Sequence, residues 1–454
     1  MKEFRRLQIT LILCAGLFPA MAQTEASENI YTPMIEPWWT IFNDPVLDSL
    51  EVAGLQYNLD LQVLIARVDE ARERIKVAQS YQYPSIRLNP YFASQSLSPN
   101  RPTAVALQEG QMLDRFSLQT FQIPLDVSYE VDLWQRAKSQ VKESKQIKEA
   151  SEAEMQAAAL TVSSEIARHY FLLRTVDTEQ AVVQRGINLR DSTSKIAEAR
   201  YEAGLVSHMD VQRAETEASI ARVQLEELNR SRREVELSLA VLVGMKPDDI
   251  HIGRGQLPIS LPVVPAFSKS DLALNRPDLR QSERIMASAN TLVDINKAAR
   301  LPRLNLLGSA GLISRGVNQI LSTNSGTYLV GASISLPVFE GFRNKSNTLL
   351  AQKQVEMAEY TFQQRFLIAI QEVETATANL EMLSRLAFVQ QQALKSAQKT
   401  RLYARELYVK GLTSFLEAID AERTALELER QAVNLQGQQA IYTIALIKAM
   451  GGNW

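Results

Sequence analysis

Residues 199–217 read ARYEAGLVSHMDVQRAETE, and residues 407–424 read LYVKGLTSFLEAIDAERT. In each, a glycine followed by leucine and, two residues later, serine interrupts a long run of helix-forming residues. Setting Gly204 on Gly411 gives a shift of 411 − 204 = 207. The same shift pairs Arg136 with Arg343, Glu165 with Glu372 and Gly244 with Gly451. Upstream, Asp60 pairs with Asp278 and Pro84 with Pro302 at a shift of 218, so the first copy carries 218 − 207 = 11 extra residues between Pro84 and Arg136. One supersecondary unit has been duplicated.

The unit is mostly helix. From Arg136 to Ala203 there is no proline and a single glycine, Gly186. A helix of that length runs to about 100 Å. After the first glycine an apolar ladder descends through Ala214, Ala218, Ala221, Leu225, Leu228, Arg232, Val235, Leu239 and Leu242. Its steps alternate four and three, the seam of helices that supercoil on partners. In the second copy the ladder returns as Ala421, Ala425, Leu428, Ala432, Leu435, Gln439, Tyr442, Leu446 and Ala449, and even the polar break recurs, Arg232 against Gln439. Gly204 and Gly411 read as C-caps at the tips of two antiparallel helix hairpins, with Ser207 and Ser414 as N-caps of the returning helices.

Between the helices the period changes to two. In residues 121–133 Phe121, Ile123, Leu125, Val127, Tyr129, Val131 and Leu133 alternate with Gln122, Asp126, Ser128, Glu130 and Asp132. Similar patterns fall at 85–92, 304–312 and 328–338. These are strands with one wet and one apolar face, one hairpin per copy, at about 84–133 and 302–339. Four strands cannot close a membrane barrel, whose smallest forms have about eight, and open edges are not tolerated in lipid. The expectation is a barrel shared between chains, 12 strands from three copies. Odd-numbered residues around Tyr129 then face lipid, and Asp126, Ser128 and Glu130 face the lumen. A soluble sheet covered by helices is the competing reading.

The chain has 454 residues, 46% hydrophobic and 22% charged, with a net charge of −2. That balance argues against nucleic acid as partner, because phosphate binding needs a basic face. Its three histidines and one cysteine, Cys14, are scattered. Neither a metal cluster nor a nucleophile–base pair emerges, so no cofactor and no enzymatic activity are expected. Residues 1–22 combine Lys2, Arg5 and Arg6, an apolar run and an Ala20-Met21-Ala22 cleavage pattern, as in a secretory signal peptide. Leu13 ahead of Cys14 disfavours lipidation. No run of 18 apolar residues suggests a membrane-spanning helix. Residues 23–454 form the expected protomer: repeat 1 over about 46–245, a Pro-rich linker at 246–270 and repeat 2 over about 271–454.

Taken together, PWWTIFNDPVLDSL (37–50), LDVSYEVDLWQR (125–136), the paired GLVSHMDVQRAE and GLTSFLEAIDAE, NRPDLR (275–280) and SLPVFEGFR (335–343) resemble the TolC family of outer-membrane efflux channels, most closely the branch serving resistance-nodulation-division pumps. The resemblance implies a mainly α-helical homotrimer with a shared 12-stranded β-barrel in the bacterial outer membrane and a coiled-coil tunnel through the periplasm. It implies a passive duct for drugs, toxic compounds or metal ions, opened at its periplasmic tip by an adaptor protein and an inner-membrane pump. It also implies an acidic aperture ring at Glu417 and Asp420, and a link between hairpins from Asp210 to Tyr408. Glu417 and Asp420, three apart, share a helix face; such a ring would favour cations. From the spacing alone, an ordinary solvated helix face is the alternative for that pair. Where the branch usually has glycine after Asp-Leu-Trp, this chain has Gln135, a departure at the strand-to-helix bend. A conduit for protein secretion by an ABC-type exporter, and a periplasmic coiled-coil structural protein, are the alternative functions.

Overall fold

The computed structural model describes residues 35–99, 114–257, 262 and 276–452. The expected signal peptide with Cys14, most of the first hairpin loop and much of the linker lie outside them. In chain order the helices are α1 (Pro45–Tyr57), α2 (Leu59–Ser80), α3 (Arg136–Glu202), α4 (His208–Leu242), α5 (Pro277–Ala298), α6 (Arg343–Val409) and α7 (Phe415–Ala449). The strands are β1 (Ser85–Leu88), β2 (Tyr91–Leu97), β3 (Phe116–Val131), β4 (Arg303–Ser314) and β5 (Gly326–Ser335). The duplication is visible in the lengths: α3 and α6 have 67 residues each, α4 and α7 have 35, and α2 and α5 have 22.

Local chemistry sets the helix ends. Asp44 caps α1 by accepting from the amides of Val46 and Leu47, with Pro45 at the first helical position. Ser207 accepts from Met209 N and Ser414 from Glu417 N. At the end of α3, Gly204 takes φ +71°, its amide donates to Tyr201 O, and Leu205 N donates to Arg200 O. Gly411 repeats this pattern at φ +76°, with its amide on Tyr408 O and Leu412 N on Leu407 O. Both are Schellman endings, and the left-handed φ is what a glycine allows at little cost.

The strands form one antiparallel sheet. β3 carries β1 and β2 on one side and β4 on the other, and β5 follows β4. The first strand, expected as one piece, is divided at Asn89-Pro90 because proline has no amide to give the ladder. Register is nevertheless kept, Leu88 facing Leu125 and Tyr91 facing Gln122. One face is apolar from edge to edge: Ile86, Val127, Gly308 and Val330 form one row, and Leu88, Leu125, Ala310 and Tyr328 the next. On the other face Asp126 accepts from Ser309 and Asn89, Ser128 pairs with Ser85, and Tyr91 donates to Gln122. This face is less polar along β4 and β5, where Leu307 stands opposite Ser128 and Leu329 opposite Ser309. The outer edges, β1–β2 and β5, have no strand partner among the described residues.

The bend into α3 is made without glycine. Gln135 takes φ +57°, and its repeat counterpart Phe342 takes φ +66°, a conformation costing a side-chain-bearing residue about 1–2 kcal/mol. Asp132 offsets this by accepting from the amides of Ala137 and Lys138.

α3 packs against α2, α4, α5 and α7. Around its middle the main core gathers Trp38, Trp39, Leu47, Tyr170, Phe171, Ile444 and Ile447. No helix among the described residues is long and apolar enough to cross a membrane.

Candidate functional site

The residues singled out in the sequence gather at the hairpin tips. Glu417 and Asp420 lie exposed on one face of α7, and Thr413 donates its hydroxyl hydrogen to Glu417. Glu417 also stands in the first turn of α7, where the helix N-terminus favours a negative charge. Tyr408 is buried with Ala197, Val211, Ala214, Phe415 and Ile419. Its ring packs against that of Phe415 at 5.8 Å, and the Arg200 guanidinium lies 4.9 Å from the ring centre.

The expected bond between Asp210 and Tyr408 is not formed. The Tyr408 hydroxyl has no hydrogen-bond partner among the described residues, and Asp210 lies 3.7 Å from Arg213 on its own helix. Tyr408 acts here as a core aromatic with a cation over its face, and Asp210 as a helix-start acid next to an arginine.

A set of charges higher up the hairpins joins what Asp210 and Tyr408 do not. Arg190 on α3 lies 3.8 Å from Glu217 on α4 and 3.4 Å from Glu422 on α7. Arg423 on α7 donates to Glu217. Arg190, Glu217 and Glu422 are all buried. Burial pushes the Glu422 carboxyl above its ordinary range, against the pull of Arg190, Arg401 and Arg405. Farther up, Arg430 reaches Glu179 on α3 at 2.7 Å, and Arg401 on α6 reaches Glu429 on α7 at 3.1 Å. One signal in the sequence could have exposed the set. Phe415, Ile419, Glu422, Leu426 and Val433 form a second heptad stripe on α7, and Glu422 is a charge inside it.

Near the middle of α3 a second set of charges holds the linker. Arg232, the polar break in the first ladder, donates to Asp177, to Glu236 and to Ile252 O. Asp177 also accepts from Gly255 N, and Arg174 donates to Gly253 O. At the helix ends a duplicated clip recurs in different chemistry. Asn58 donates to Leu242 O, and Arg276, 218 residues later, donates to Ala449 O and to Glu372.

A duplicated helix hairpin on a sheet with one largely apolar face has counterparts among known proteins. The outer membrane efflux protein profile matches residues 53–245 and 269–452, and the chain belongs to that family. It is 24% identical to the probable outer membrane lipoprotein SilC of Salmonella typhimurium, over 96% of this chain and 93% of that one. It is 25% identical to the solvent efflux pump outer membrane protein SrpC of Pseudomonas putida, over 91% and 86%. Among solved structures, the outer-membrane channel OprN superposes with a TM-score of 0.84 at 24% identity, covering 92% of each chain. The protein is an outer-membrane efflux component with the fold of an outer-membrane channel.

Proposed function

We propose that the protein is the passive exit duct of a tripartite system that exports small molecules. Three copies close a 12-stranded barrel, their helices form a tunnel, and a periplasmic adaptor and an inner-membrane resistance-nodulation-division pump work on its tip. The observation that carries this reading is the sheet, apolar on one face along β3 from Phe121 to Val131 and its β4 and β5 partners apart from Ser314, and without a strand partner at either edge among the described residues. Such a sheet is stable in lipid only when its edges are closed by other strands. A second feature supports it. α6 exposes apolar residues at heptad spacing, Leu350, Met357, Tyr360 and Leu367, then Met382, Leu386 and Val389, a seam suited to another helix. Six carboxylates from Glu417 and Asp420 would then ring the axis and favour cations. The relatives named for solvent and other efflux systems point to small toxic solutes as cargo.

Light scattering of the purified protein in detergent is expected to give a trimer; a stable monomer with intact β-content would overturn the shared barrel. Val127→Arg on the apolar face should cost about 2–4 kcal/mol of insertion near the bilayer midplane, while Ser128→Arg on the opposite face should be tolerated. Membrane fractionation of the two variants checks the assignment, and equal behaviour would reverse it.

A further inference from the structure

At the end of the sheet that adjoins the helices, aromatic rings and positive charge lie in two tiers. Tyr81 and Tyr83 before β1, Trp134 after β3, and Phe339 and Phe342 after β5 are all exposed. Beside them the charge is one-sided. Residues 75–84, 136–145, 293–302 and 343–352, the stretches through which the chain enters or leaves the sheet, hold nine Lys or Arg against two Asp or Glu, in a chain whose net charge is −2. Three of these cations form a stripe. Lys138, Lys142 and Lys145 on α3 are exposed at spacings of four and three, so they share one helix face about 10 Å long.

We propose that Lys138, Lys142 and Lys145 are a phosphate-binding stripe that holds anionic phospholipid of the periplasm-facing leaflet against α3. The proposal rests on the barrel reading above.

Three observations carry it. First, the lysines are unpaired. Their ammonium groups have no ion-pair partner among the described residues. Surface charges nearby are matched: Arg72 with Asp69, Arg74 with Glu70, Lys148 with Glu152 and Arg284 with Glu149. Second, the stripe lies on the lipid side. Arg136 donates to Glu130, which alternation puts on the polar face of the sheet. At about 100° per residue, the three lysines stand about 180–240° around α3 from Arg136, on the side of the apolar face. α5 covers a different face of α3, through Ser288 on Glu143 and Thr291 on Gln146. Third, the aromatic tier sets the level. Aromatic residues gather at the headgroup boundary of membrane proteins. Trp134, whose Nε1 donates to Pro302 O, stands four residues before Lys138. The stripe thus begins within a Debye length of the headgroups, where each lysine gains from an anionic surface. The second copy keeps one cation of the three. Under the 207 shift Lys138 falls on Lys345, Lys142 on Leu349 and Lys145 on Gln352, so the stripe belongs to α3 and not to the repeated helix.

The test uses the full protein in detergent, offered phosphatidylglycerol or phosphatidylcholine, with retained lipids counted by native mass spectrometry. The wild type should retain phosphatidylglycerol several-fold better, and about 0.5 M salt should erase the difference. Lys138→Gln, Lys142→Gln and Lys145→Gln together should remove most of the preference, while Lys138→Arg, Lys142→Arg and Lys145→Arg together should keep it. Lys195→Gln, Lys395→Gln and Lys399→Gln, at exposed positions toward the hairpin tips, should leave it unchanged. Equal retention of the two lipids by the wild type, or a preference that survives in the first triple variant, would overturn the stripe. Displacement of the lipid by equimolar inorganic phosphate would mark a free-anion site and overturn lipid docking. A wild-type protein that inserts into no vesicle, whatever its composition, would instead overturn the barrel reading beneath the proposal.

Discussion

α3 and α6 are copies of one 67-residue helix, yet equivalent positions meet different surroundings. Leu160 is 5% exposed and its counterpart Leu367 is 67% exposed; Val182 and Val389 differ in the same way, 4% against 62%. At the tips the order reverses, with Tyr201 at 44% and Tyr408 at 2%. In α6 only Thr348, Ala351, Ala369, Ala376, Leu383 and Tyr408 are buried, whereas buried positions run the length of α3. α3 has neighbours on several sides, and α6 packs mainly on α5 and α7. Equal sequence patterns therefore do two jobs. In α3 the apolar stripe builds the fold of one chain, and in α6 it stays exposed on that chain.

That comparison can be broken directly. Leu160→Ala removes a buried side chain and should cost about 2–5 kcal/mol. It should lower the thermal midpoint of the purified protein in detergent. Leu367→Ala should leave the folded chain intact and instead weaken association, seen as dissociation on dilution in light scattering. If Leu367→Ala lowers the midpoint as much as Leu160→Ala without any change in association, the seam of α6 is covered from within the chain.

A second contrast sharpens it through pH. Glu51 on α1 is fully buried against α3, beside Ser163. Burial holds its pKa well above the usual carboxylate range, and Asp48 beside it adds to the effect. The folded chain thus keeps a proton that the unfolded chain releases near about pH 4.3. Stability from this group is complete below that value and is lost as pH rises through the raised folded pKa. Glu51→Gln should flatten the decline of thermal midpoint as pH rises above the unfolded value, about pH 4.3. An unchanged slope would show that Glu51 is ionised in the fold. The clip at Arg276 has the opposite sign. Burial alone would raise the Asp278 carboxyl, but Arg276 holds it below its ordinary value, so its contribution fades as pH falls.

The smallest effect belongs to the tyrosines. Tyr408→Phe removes a buried hydroxyl without a partner and should be neutral or stabilising, by at most about 1 kcal/mol. Tyr201→Phe, at the exposed equivalent position, should be silent. A clear loss of stability in Tyr408→Phe, measured by thermal melting, would mean that the hydroxyl does have a partner in the assembled protein.

Much of this was legible in residue order. Gly204 and Gly411, the 207-residue shift, the capping serines and the period-two runs all rest on local chemistry: φ preferences, caps and alternation act within a few residues. Arg232 was visible as a break in its ladder, although nothing local could say that Asp177, Glu236 and the carbonyl of Ile252 would meet it. The division of the first strand follows from Pro90, and its preserved register became plain only with β3 alongside.

The sequence by itself determined the duplicated helix hairpins, the amphipathic strands and the family resemblance, because each is written in spacing that short-range sterics and burial enforce. The tertiary structure alone decided which copy lies inside. It separated Leu160 from Leu367, buried Tyr408 away from Asp210, and brought Arg190, Glu217 and Glu422 from three helices to one level. Contacts between helices depend on the angle and height at which they pack. Two segments with the same pattern carry no local record of how many neighbours each will have.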